Sequence, residues 1–310
     1  YFLNINLGFA VGLDGTILKT TNSGANWTNL NSGTPRFLRT VFFADDNNGY
    51  AAGDTGTILK TTNSGLNWQS QNSRITNNIN SIYFVNNNIG ICAGDSGKIL
   101  RTSNGGTNWS TVFIIPNDHT LRSICFTSFN VGFVVGDSGK IIKTTNNGIS
   151  WVIGNAGGTV LYSIDFADSL NGMCSGFNGR IVKTTDGGNN WNIFTSITTS
   201  RLYSLSYLNY NSAIAVGDAG TVIKTTNAGL SWILQNKITQ YNLYNVNVLD
   251  ENRSIAFGEF GNMIRTTNAG LVNVENKSIA NTPVEYKINN IYPNPFNPST
   301  TISYSVSKTS

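Results

Sequence analysis

The chain has 310 residues, 12% of them charged, a formal net charge of +4 and 32 glycines. That length carries one large core with a small appendage, and low charge with abundant glycine suits an all-β protein with many turns. No Lys/Arg run interleaved with aromatics speaks for nucleic acid, and no apolar stretch approaches the roughly 18 residues of a membrane span. No signal peptide is visible, which carries no weight because the chain opens at Tyr1 inside a repeat.

That repeat governs the fold. The string Gly53-Asp54-Thr55-Gly56-Thr57-Ile58-Leu59-Lys60-Thr61-Thr62-Asn63-Ser64-Gly65-Leu66-Asn67-Trp68 recurs with its leading glycine at Gly12, Gly53, Gly94, Gly136, Gly176, Gly217 and Gly258, at steps of 40 to 42 residues. Trp27, Trp68, Trp109, Trp151, Trp191 and Trp232 keep the same beat. The first copy has lost most of its opening strand, because Tyr1 and Phe2 align with Phe42 and Phe43. In the second copy Leu38–Phe43 alternates and is rich in β-formers, followed by short strand-like pieces at 49–52, 57–61 and 68–71. Asn/Asp/Gly turns, which tolerate positive φ, join these pieces as antiparallel neighbours. Four strands in about 40 residues make one propeller blade. A lone blade cannot cover both its faces, so copies stack radially. Val41, Ile82, Ile124, Ile164, Leu205 and Val246 share one first-strand column; Phe43, Phe84, Phe126, Phe166, Tyr207 and Val248 share another two residues on, hence on the same face. Each such side chain, once buried, contributes about 1.5–3 kcal/mol. The seventh copy has Asn273 in place of Trp, so its fourth strand, 271–275, reads as weak. The sequence therefore predicts seven four-stranded antiparallel blades over 1–275, with an eighth left open.

Of the three cysteines, Cys92 and Cys174 fall in a column of small apolar residues, so all three read as free packing thiols. The single histidine, His119, gives no metal-ligand spacing, and no metal or other cofactor is expected.

The Gly-Asp-x-Gly-x-Ile-x-x-Thr-x-Asn-x-Gly-x-x-Trp string resembles the repeats of photosystem II assembly and stability factor-like propellers, members of the wider BNR or Asp-box group that includes sialidase-like and sortilin-like proteins. Residues 184–191, Thr-Thr-Asp-Gly-Gly-Asn-Asn-Trp, come nearest to an Asp box; Asn22, Asn63 and Asn227 stand where that family has Asp. A short side-chain carbonyl at this point accepts backbone N–H groups across the turn, so the box reads as structural. A second resemblance lies in the tail. The string Tyr292-Pro293-Asn294-Pro295-Phe296-Asn297-Pro298 looks like the start of a type IX secretion C-terminal sorting domain. That resemblance implies export across the outer membrane of a Bacteroidota-like bacterium, with the secretion machinery as a partner and a secreted or cell-surface location. Residues 276–286 read as a linker, and 287–310 as the truncated start of a small β-sandwich containing a strand at 301–306.

Catalysis finds little support. The four glutamates, Glu251, Glu259, Glu275 and Glu285, all lie late in the chain, whereas a glycosidase needs two carboxylates facing across a cleft. Asp54, Asp95, Asp137 and Asp218 share one turn column with Glu259, and Leu13 and Phe177 break it; with the six tryptophans they read as structural repeat residues. Asp165 lies in a first strand where other copies have Phe42, Tyr83, Cys125, Ser206 and Asn247; it is the least repetitive acid and the one to test for catalysis. Lys19, Lys60, Arg101, Lys143, Lys183, Lys224 and Arg265 form an unbroken third-strand column, read as stems covering apolar surface. Arg36, Arg39, Arg74, Arg122 and Arg201, with Phe37 and Tyr241, lie in or just after the loops that lead into the first strands. Those loops gather on one rim around the channel mouth, and the family resemblance implies that a basic rim of this kind holds a partner. The leading reading is a non-catalytic module that binds a protein or glycan through that rim. Two readings stay open beside it: a sialidase-like or other glycoside hydrolase, and one module of a larger surface protein.

Overall fold

The computed structural model describes residues 1–117 and 119–266 in full and, as backbone, the strands Val274–Asn276, Lys287–Tyr292 and Thr301–Ser305. The 41-residue repeat becomes seven antiparallel sheets around an axis, an all-β seven-bladed propeller with no α-helix among the described residues. Blade 2 sets the pattern with Leu38–Phe43, Gly49–Gly53, Ile58–Thr61 and Gln69–Gln71 in spatial order. Blades 3 to 6 repeat it from Ile79 to Ile114, Leu121 to Asn155, Leu161 to Thr195 and Leu202 to Leu234. Blade 1 consists of Gly8–Val11, Ile17–Thr20 and Thr28–Leu30, and its first strand is reduced to the bridge between Phe2 and Gly8. Blade 7 is completed by the degenerate strand, which falls at Val274–Asn276 beside Met263–Thr266. In the tail, Lys287–Tyr292 pairs antiparallel with Thr301–Ser305; the Pro293–Pro298 string and residues 277–286 lie outside the described residues.

One turn, repeated, both shapes each blade and joins it to its neighbour. In the turn between strands three and four, Thr61 Oγ1 accepts the N–H of Gly65 at 3.0 Å and Asn63 Oδ1 accepts that of Asn67 at 2.9 Å. Asp186 does the same in blade 5, accepting from the N–H groups of Asn189 and Asn190 at 3.0 and 2.9 Å. These bonds hold its carboxyl well down, at about 2, with the Asn190 N–H the largest cause. The threonine column is buried throughout. The turn glycine has positive φ and also meets the second strand of the preceding blade. A Cβ on Gly65 would fall 2.7 Å from Phe9, on Gly148 2.4 Å from Ile91 and on Gly188 2.4 Å from Phe133. Only glycine fits both demands. The same contact links the ends of the ring, because a Cβ on Gly24 of blade 1 would fall 2.5 Å from Cδ1 of Ile255 in blade 7. Trp27 lies edge-on to Phe257 across that junction, ring centres 5.7 Å apart.

The basic column serves the same junctions. The sequence places these cations over their own blade's apolar surface; the structure aims their heads across the interface. Lys19 donates to Ser64 O at 2.8 Å, Lys60 to Gly105 O at 2.7 Å, Arg101 to Asn147 O at 3.0 Å, Lys143 to Gly187 O at 2.7 Å and Lys183 to Ala228 O at 2.6 Å. Each therefore caps a turn carbonyl of the next blade. The ammonium groups of Lys19, Lys60 and Lys143 also ride over the rings of Phe9, Tyr50 and Phe133. Nearer the axis, Ser81, Ser123, Ser163 and Ser204 accept the N–H of Ile124, Ile164, Leu205 and Val246 in the following blade at 3.2 to 3.3 Å. The three cysteines are free; burial pushes the Cys92 and Cys174 thiols up, as packing residues require.

Candidate functional site: the bulged rim of the channel

Every complete first strand contains a β-bulge. Pairing with the second strand slips between Leu38 and Thr40, Ile79 and Ser81, Leu121 and Ser123, Leu161 and Ser163, Leu202 and Ser204, and Leu243 and Asn245. The extra residue is Arg39, Asn80, Arg122, Tyr162, Tyr203 or Tyr244. A bulge re-aims the residue it contains, and here it sets six side chains around the channel mouth at one level.

Five of these six residues are tied to the acid of the one-turn 3-10 segment of their own blade. Asp54 pairs with Arg39, and Asp137 accepts both Nε and a terminal nitrogen of Arg122 at 3.0 and 2.9 Å. Asp95 accepts the amides of Asn78 and Asn80 at 2.9 and 3.0 Å. Burial pushes the Asp218 carboxyl up, but hydrogen bonds from Tyr203 and Arg201 outweigh it and leave Asp218 below the usual carboxylate range. Glu259 accepts the backbone N–H of Asn242 at 3.2 Å and the Tyr244 hydroxyl at 2.9 Å, which lower it likewise. Blade 5 breaks the pattern, with the exposed Phe177 in place of the acid beside Tyr162. The turn acids are thus committed to holding the rim in position.

Three tyrosines with two arginines form a continuous strip over blades 4 to 7. The Arg122 guanidinium lies 5.2 Å from the ring centre of Tyr162. Tyr162 meets Tyr203 edge-on at 5.1 Å, Tyr203 meets Tyr244 at 5.2 Å, and Arg201 covers Tyr203 at 5.9 Å. Of the residues singled out in the sequence, Arg122 and Arg201 join this strip. Arg39 stacks on Phe37 at 4.9 Å on blade 2. Arg36 and Arg74 are exposed on the loops leading into blades 2 and 3, away from the strip. Tyr241, on blade 7, packs edge-on against Phe260 at 5.3 Å. Sequence reasoning misses Tyr162, Tyr203 and Tyr244, although Leu-Tyr-Ser, Leu-Tyr-Ser and Leu-Tyr-Asn stand in one column at 161–163, 202–204 and 243–245.

Asp165 lies deeper, half-buried on the channel wall, with its oxygens accepting the N–H groups of Phe166 and, in the next blade, Tyr207, both at 2.9 Å. Burial pushes its pKa up to about 6. It occupies the place where Ser206 accepts the N–H of Val248 at 3.3 Å one blade on. No group of His, Cys, Asp and Glu among the described residues is arranged to hold a metal ion.

The fold and its turns define the class: a seven-bladed all-β propeller with a bulged, tyrosine-rich rim. Residues 20–117 match the family model described as photosynthesis system II assembly factor YCF48. No curated protein matches the chain at a significant level. Among solved structures, YCF48 bound to D1 peptide is similar with a TM-score of 0.72 and 18% identity over 88% of this chain and 90% of that one. YCF48 from Cyanidioschyzon merolae gives 0.71 and 15% over 88% and 94%. The GH74 xyloglucanase from Xanthomonas campestris gives 0.73 and 11%, covering 86% of this chain and 50% of that one. At these identities the likeness is one of fold.

Proposed function

We propose that this chain is a non-catalytic propeller, secreted or displayed on the cell surface, that holds a protein ligand across the blade 4–7 side of its channel mouth. The observation that carries this is the strip Arg122–Tyr162–Tyr203–Tyr244, fixed on rigid strands by bulges and turn acids. Aromatic and arginine side chains held in place lose little entropy on binding and supply most of an interface's energy. A related propeller, YCF48, is known bound to D1 peptide, which supports peptide capture by this scaffold. Hydrolysis of a glycan needs two facing carboxylates; here the rim acids are occupied by donors of their own blades, and Asp165 clamps two backbone N–H groups. The Tyr292–Pro298 string supports export by a type IX machinery, tested by following the chain to the culture medium or outer surface.

The binding reading is tested by selecting a displayed random dodecapeptide library on the immobilised chain and titrating the enriched peptides by fluorescence anisotropy. Tyr203→Ser and Tyr162→Ser should weaken binding at least tenfold while the fold persists. Peptides that bind these variants as tightly as the parent would place the ligand elsewhere. Polysaccharide hydrolysis abolished by Asp165→Asn would replace binding with catalysis.

A further inference from the structure

Phe260 is the second residue of the 3-10 turn in blade 7, with φ of 55°. The other six blades put Asp14, Thr55, Ser96, Ser138, Asn178 and Ala219 at this point, all left-handed, with φ between 49° and 59°. Asp and Asn take that conformation with local hydrogen bonds, Ser and Ala with little crowding, and Thr55 with its hydroxyl donating to Asp54 O at 2.8 Å; a phenyl there has no such bond to make and is an outlier. The phenyl gains nothing in exchange from the core, because it is 86% exposed, the highest exposure among the large apolar residues described. A residue that is both strained and unburied points to function.

Its surroundings describe what it meets. Tyr241, 45% exposed, supports the ring edge-on, and Tyr244, 49% exposed, stands on the same rim. The neighbouring Glu259, like Asp95 in blade 3, has only neutral donors among the described residues. Asp54, Asp137 and Asp218 are each paired with an arginine, whereas Glu259 is held by the neutral groups of Asn242 and Tyr244. Among the described residues no cation pairs with its carboxylate, and Asp14 stands at the turn position of the adjoining blade that matches Phe260.

We infer that Phe260, with Tyr241, anchors a partner segment that presents an aliphatic or aromatic side chain next to a lysine or arginine. The apolar side chain packs on the two rings, and the cation meets Glu259. This rests on the rim reading above and names the chemistry of its ligand on blade 7.

The test runs the same dodecapeptide selection on the parent chain and on Phe260→Asn, which suits the left-handed turn. Enriched peptides should pair an apolar residue with Lys or Arg, bind Phe260→Asn at least tenfold more weakly and bind Glu259→Gln at least fivefold more weakly. The melting temperature of Phe260→Asn should equal or exceed that of the parent. Equal binding to Phe260→Asn, enrichment of acidic peptides, or a lower melting temperature in that variant each overturns the inference, the last by making the phenyl a folding contact. Peptides that lose affinity with Tyr203→Ser but not with Phe260→Asn sink this inference and leave the rim reading standing. Indifference to both variants sinks the two together.

Discussion

Gly24 of blade 1 stands against Cδ1 of Ile255 in blade 7 just as Gly65 stands against Phe9 and Gly229 against the Met173 methyl. The ring therefore closes with the contact that joins its other blades. Gly24→Ala forces a Cβ into both a left-handed backbone and an occupied space, and should cost about 1–3 kcal/mol. Ile255→Ala should cost about 2–5 kcal/mol on its own. Ile255→Ala also clears room for the new methyl, so the double variant should lose less than the sum of the two. Urea denaturation of the four proteins reads this coupling; additivity within about 0.5 kcal/mol would mean that the two residues do not touch.

The basic column makes a second prediction. Lys60→Met keeps the stem over Tyr50 and removes one of the two donors to Gly105 O, leaving the Tyr50 hydroxyl at 3.0 Å, a loss of about 0.5–1.5 kcal/mol. Lys60→Arg should be nearly neutral, because Arg101 does the same work one blade on. Equal stability of the Met and Arg variants by denaturant midpoint would show that the stem alone matters.

Asp165 sets a pH dependence. Its folded pKa, about 6, lies above the ordinary carboxylate value, so folding favours its protonated form. The stability it adds is full in acid and is lost as pH rises from about 4 through 6, a change on the order of 1–3 kcal/mol. Asp165→Ser keeps an acceptor for Tyr207, as Ser206 does for Val248, and removes the charge. The variant should gain stability relative to the parent between pH 4 and 7, and an unchanged pH profile from thermal melts at several pH values would refute this.

The three rim ion pairs are partly exposed, and such pairs contribute about 0–1 kcal/mol each. Replacing Arg39, Arg122 and Arg201 with serine together should lower the melting temperature by only a few degrees while weakening peptide binding. A collapse of the fold would mean that the pairs hold the ring rather than present it.

The blades can be read from the sequence because each depends on local rules. The Asn/Asp-Gly turns, the alternating first strands and the tryptophan beat all speak in short windows, and the contact that closes the ring merely repeats them. The rim is only half legible. Counting by twos from Val41 puts Arg39 on the same face, and the bulge between Leu38 and Thr40 breaks that count; nothing in a single repeat announces it. Once parity fails, Tyr162, Tyr203 and Tyr244 look like ordinary strand aromatics. The arginines stand out by their charge, but their acid partners lie fifteen or seventeen residues on, across a strand whose register has to be known first. The destination of the basic column is hidden for a similar reason, since its acceptors lie 44 to 46 residues away.

Six junctions of the ring join blades that follow one another along the backbone. The seventh brings Arg253 to Ser23, 230 residues apart, at 3.4 Å. A tethered junction that opens closes again readily, because the chain keeps its two sides at high effective concentration. The Gly24–Ile255 junction has no such leash. The propeller should therefore come apart as a clasped bracelet does, the clasp first and the links opposite it, blades 3 to 5, last, an order that hydrogen exchange blade by blade would read.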